Sequence, residues 1–149
     1  MNDMSHDMDA LITPVPVEVL ETIWPEASVF IERAIKTTKG KFTLDSVYQD
    51  IKRGLYVLWI IVKDDVIMAA LTTRIAQYPL GKGLSIDWLG GSNMSELFTR
   101  TFPTIVQYAK DNGCTHLEGY GRKAWGKWLE SYGWEPDYVA YKMELSDGR

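Results

Sequence analysis

The stretch from Leu84 to Trp134 constrains the fold of this chain most. It reads as a strand (Leu84 to Leu89), a glycine-containing turn (Gly90, Gly91), a helix from about Ser95 to Lys110, a strand (Cys114 to Tyr120) and a helix (Lys123 to Tyr132). Two strands joined by one helical crossover make a βαβ unit, with parallel strands and a right-handed crossover. The turn after the first strand brings backbone N–H groups to a helix N-terminus, where an anion can sit. Pro103 lies within the crossover helix. It predicts either a kink or a regular helix that starts near Thr101, with Pro103 in its first turn.

The upstream elements flank this unit. Met1 to Asp9 is polar and acidic and reads as a tail, and residues 12–149 read as a single domain behind a flexible segment 1–11. Ile12 to Val17 is extended by its prolines, as an edge strand or a lead-in. Apolar residues from Leu20 to Ile35 recur at helical spacing, and Pro25 predicts either a kink or a second helix there. Thr43 caps a short helix whose buried face is Leu44, Val47, Tyr48 and Ile51, and Gly54 stops it. Tyr56 to Val62 and Val66 to Tyr78 form a hairpin around Lys63 to Asp65, the second strand being too long to lie flat without a bend or bulge. After the βαβ unit, Trp134 to Leu145 reads as a turn at Glu135 to Asp137 and a last strand. The fold class is therefore α+β: a mixed central sheet, antiparallel hairpin and strand first and βαβ unit second, flanked by helices.

Composition narrows the function. The net charge is −4 and lysine and arginine form no block, which argues against nucleic acid as a partner. The single cysteine, Cys114, excludes an intramolecular disulfide framework and reads as a buried thiol, and His6 and His116 are too few for a His/Cys metal site. No signal peptide opens the chain and no apolar run spans a membrane, so the expected compartment is cytoplasmic and reducing. Trp59, Trp88, Trp125, Trp128 and Trp134 either fill a core or form an aromatic surface for a protein partner.

Residues 108–118, a helix end, a glycine and the next strand, and residues 122–134, a helix ending in a tyrosine, Gly133 and Trp134, resemble the GCN5-related N-acetyltransferase (GNAT) superfamily. More narrowly, they are similar to small GNAT-like proteins encoded by bacteriophages. The resemblance covers roughly residues 18–145. It implies acetyl transfer from acetyl coenzyme A to a small-molecule or protein amine. It places Leu89, Gly90, Gly91, Ser92, Asn93 and Arg122 at the cofactor. The family's spaced glycine loop is replaced by the adjacent Gly90 and Gly91, and Leu129 stands where many members carry a proton-donating tyrosine. Tyr120 and Tyr132 lie close in sequence, each a substitute donor or a packing residue. Asp87 and Glu118 are the candidate general bases; the plainer readings are that Asp87 faces solvent or pairs with Arg74, and that Glu118 pairs with Arg122. The other function class is a GNAT-like module without transfer chemistry. Such a module binds a protein partner in the host cytoplasm or a phage virion.

Overall fold

The computed structural model describes residues 10–38, 40–120 and 126–145. The chain divides into two compact units, residues 1–119 and 120–149.

The first unit is built on a five-stranded sheet in the order β1 (Leu11–Pro14), β2 (Val57–Lys63), β3 (Val66–Tyr78), β4 (Gly81–Gly91) and β5 (His116–Gly119). Its first three pairings are antiparallel and β4 pairs with β5 in parallel, as a βαβ unit requires. The segment before the first helix is thus an edge strand rather than a lead-in. The β2–β3 hairpin closes through Asp64 and Asp65, both at positive φ (52° and 64°), the conformation a two-residue hairpin turn demands.

Helix α1 (Leu20–Ile35) runs unbroken through Pro25, and α3 (Met94–Asp111) through Pro103. In each, buried residues lie on both sides of the proline: Leu20 before Pro25 and Ala27, Ile31 and Ile35 after it; Leu97, Phe98 and Thr101 before Pro103 and Ile105 and Ala109 after it. Anchoring of both halves to the core outweighs the lost hydrogen bond, so neither a second helix nor a late start is found. Helix α2 (Leu44–Lys52) opens as its sequence demands. Thr43 Oγ1 accepts from the Ser46 N–H (3.0 Å) and Ser46 Oγ accepts from the Thr43 N–H (3.0 Å), a reciprocal cap.

The sheet is covered on both faces. Leu20, Ala27 and Ile31 of α1 and Val47 and Ile51 of α2 join Leu58, Ile60, Ala70 and Trp88 in one core cluster. On the other face Tyr108 of α3 meets Trp59 edge-on, with ring centroids 5.0 Å apart. Trp59 and Trp88 are 2% and 6% exposed, so both belong to the core and not to a binding surface.

Two expectations are corrected. Gly90 and Gly91 are not a turn; they are the last residues of β4, paired with Ala70 and Ala69, and the turn is Ser92–Asn93. The reason is packing from both sides. A Cβ on Gly90 would lie 2.2 Å from the Phe30 carbonyl oxygen in α1, and one on Gly91 would lie 2.4 Å from the Ala69 Cβ. The strand therefore needs glycine to pass. The second correction concerns residues 134–145, which form no strand. Alternating side chains define two faces but supply no neighbouring edge, and a strand exists only where its N–H and C=O groups find one.

The second unit contains a short helix, α4 (Gly126–Glu130), with Trp128 edge-on to Tyr132 and Gly133 ending the turn at φ 88°. The start expected for this helix, and Trp125, lie outside the described residues.

Candidate functional site

The site begins where β4 and β5 part. Their ladder runs from Gly83↔His116 to Ile86↔Gly119 and stops there among the described residues, while β4 continues to Gly91. At the same point β4 carries an extra residue. Thr72 opposes Trp88 and Thr73 opposes Ile86, so Asp87 has no counterpart on β3 and forms a β-bulge.

A bulge leaves polar groups without ladder partners, and side chains supply them. Thr72 Oγ1 accepts from the Trp88 N–H (3.3 Å), and Thr73 Oγ1 accepts from the Trp59 indole N–H (2.8 Å). Ser85 Oγ donates to Asp87 Oδ1 (2.5 Å) and Arg74 Nε donates to Asp87 Oδ2 (3.0 Å). Thr72, Thr73 and Ser85 are all essentially buried, so most of the buried polar residues among those described gather around this one irregularity.

The electrostatics follow from the pairing. Burial works against the charge on Arg74, but the hydrogen bond and negative charge of Asp87 outweigh it and push the guanidinium further up. Burial, then the charge of Asp87, raises the Tyr56 hydroxyl; the Trp88 indole N–H, directed at that hydroxyl, works weakly the other way. Tyr56 is therefore a protonated donor beside the bulge. The Trp88 N–H itself is buried and reaches no acceptor at full hydrogen-bonding geometry.

Beyond the bulge, the Ser92 N–H donates to the Met68 carbonyl (3.3 Å). Antiparallel strands alternate the direction of their main-chain groups, so Leu89 and Gly91 turn theirs to the edge facing away from β3. Asn93, at φ 54°, is the N-cap of α3 and makes no side-chain cap bond; its amide donates instead to Glu96 (2.9 Å).

The structure thus brings Asp87, Glu118, Leu89, Gly90 and Gly91 to one fork, with Ser92 and Asn93 leading from it into α3. Glu118 stands opposite Ser85 on β5 and is held by Tyr78 and His116. Tyr120 is the first residue of the second unit and is 67% exposed; Arg122 lies outside the described residues. Tyr56, Tyr78, Ser85 and His116 were not singled out from sequence. The signal for some was there: His116 and Glu118, or Arg74 and Tyr78, at even spacing along a strand, share one face of the sheet.

No protein-family model and no curated protein sequence matches the chain. Solved structures do. An aminoglycoside acetyltransferase from an uncultured soil metagenomic sample, solved with sisomicin, superposes with a TM-score of 0.69 at 11% identity over 94% of this chain and 99% of its own. A possible acetyltransferase from Clostridium difficile 630 gives 0.67 at 20% identity over 92% and 98%. Glucosamine-6-phosphate N-acetyltransferase from Arabidopsis thaliana gives 0.62 at 15% identity over 92% and 99%. The chain has the GNAT-like α+β fold of these acetyltransferases. Among the described residues no helix is long and apolar enough to cross a membrane, and no cluster of histidine, cysteine and carboxylates could hold a metal.

Proposed function

We propose that this chain transfers an acetyl group from acetyl coenzyme A to an amine. The observation that carries the reading is the fork itself: a bulged strand whose free-running end turns main-chain groups toward the gap beside β5, with two carboxylates on one face below it.

The residues fit the cofactor along that edge. The main-chain groups of Leu89 and Gly91 match an amide-bearing arm, and the first turn of α3 favours phosphate. Glu96 places a carboxylate in that turn, so a phosphate there displaces the Asn93–Glu96 contact. Bound in this way, the cofactor supplies an activated acetyl thioester. The chain's own residues take the proton from the acceptor ammonium, through Asp87 or Glu118, and offer a protonated hydroxyl, that of Tyr56, beside the bulge. The acceptor class is amine-bearing small molecules, amino sugars among them, as the fold relatives suggest. Such a protein works in the cytoplasm, where its thioester is made.

A second reading is favoured by the glycines, whose presence is already explained by their contacts with Phe30 and Ala69. In it the chain is a binding module for a protein partner, in a phage particle or its host. Thermal melting with acetyl coenzyme A separates the two. A ligand at 100 times its Kd stabilises the folded state by about 2.7 kcal/mol, and no shift at millimolar cofactor removes the enzyme reading.

A further inference from the structure

The two carboxylates at the fork are not equivalent. Asp87 is 9% exposed at its side chain; one oxygen is held by Arg74 and the other by Ser85. Arginine keeps its proton and Tyr56 already carries its own, so a proton taken by Asp87 meets no vacant base in either group. Glu118 is built differently. A Cβ on Gly83 would lie 2.4 Å from Glu118 Oε1 and 2.5 Å from His116 Nε2, so the absence of a side chain on β4 lets this pair lie across the strand. Tyr78 of β3 donates its hydroxyl to Glu118 (2.6 Å to Oε2, 2.8 Å to Oε1) and stacks on the His116 ring.

One tautomer of His116 sets the pair for proton transfer. Thr115 Oγ1 donates to the Lys82 carbonyl (3.1 Å) and so accepts from His116 Nδ1–H (3.0 Å). His116 Nε2 then points its lone pair at Glu118 Oε1, 2.8 Å away. A proton carried by either group makes this contact a hydrogen bond and can pass along it. The His116 side chain is 47% exposed, so water reaches its ring. Among the described residues, the other titratable groups beside His116 are Tyr78 from β3, which stacks on its ring, and Lys110 and Cys114, which line the cavity His116 borders.

We propose that Glu118 is the general base of the transfer and that His116 passes the proton to solvent, with Tyr78 and Thr115 as positioning residues. This rests on the acetyl-transfer reading above. In the step, an N–H bond of the acceptor ammonium breaks and an O–H bond forms on Glu118, leaving the electron pair on nitrogen to attack the acyl carbon. The proton then moves to His116 Nε2, and the imidazolium releases it to water.

The test measures thiol release with acetyl coenzyme A and a panel of amino sugars and polyamines. E118Q should lower kcat on the order of 100-fold, leave KM for the cofactor near wild type, and remove the rise of kcat/KM with pH. H116Q should lower kcat less and shift that limb. An E118Q enzyme with wild-type kcat and pH profile, alongside an inactive D87N, overturns the proposal and makes Asp87 the base. A wild-type protein that neither binds the cofactor nor releases thiol overturns the acetyl-transfer reading itself, and the base with it. The 15N signal of His116 Nε2, which needs no activity and checks folding in the same sample, should move in E118Q; an unmoved signal shows that the two groups share no proton and also overturns the proposal.

Discussion

Arg74 and Asp87 are joined across β3 and β4 at the place where the ladder loses step: Nε to Oδ2 is 3.0 Å, and Asp87 is the residue without an opposite number. The ion pair spans the bulge and fixes the direction of the side chain that the bulge frees. D87N should therefore cost about 1–2 kcal/mol, because a half-buried guanidinium is left with a weaker partner. A double-mutant cycle with R74M, read by urea unfolding, should show a clear coupling energy. Additive single changes would mean the pair holds nothing.

Gly90 makes the sharpest packing prediction. A methyl there meets the Phe30 carbonyl at 2.2 Å, which is backbone and cannot swing aside. G90A should cost roughly 2–3 kcal/mol, seen as a lower melting temperature. A wild-type melting curve would show that α1 can move off the sheet without loss.

Thr43 tests the local end of the hierarchy. Its hydroxyl accepts the Ser46 N–H at 3.0 Å, and no distant element is needed for that bond. T43A should cost about 1 kcal/mol, and T43S should recover most of it. Equal stability of all three proteins would deny the cap.

Tyr56 should give the stability curve an alkaline slope. Its hydroxyl sits above the ordinary value of 10.0, raised by burial and then by Asp87. The folded chain thus holds this proton more tightly than the unfolded one. The contribution is complete below pH 10 and is lost as pH rises through the folded value. Urea midpoints between about pH 9 and pH 11 should fall less steeply in Y56F than in wild type; parallel curves would place Tyr56 away from the bulge charge.

Much of the fold was legible in the residues because its signals are local. The strands and helix of the βαβ unit, the turn at Lys63 to Asp65 and the Thr43 cap are each signalled by residues within a few positions, and the structure bears them out, with the turn narrowed to Asp64 and Asp65. Pro25 and Pro103 show where local signals leave a choice open. Each predicts either a kink or a new helix start, and each sits in one continuous helix, because buried residues on both sides tie the halves to the sheet.

The site was only partly legible, and the line between the two parts is one of range. Sequence alone determined that Asp87 and Glu118 lie on neighbouring parallel strands and that a turn leads from the first strand into a helix. Tertiary structure decided that Gly90 and Gly91 continue the strand, since the Phe30 carbonyl and Ala69 that forbid a side chain there are 60 and 22 positions away. It also decided that Asp87 bulges and that Tyr78 reaches Glu118. Both depend on the register between segments 13 to 40 residues apart, which no local periodicity encodes.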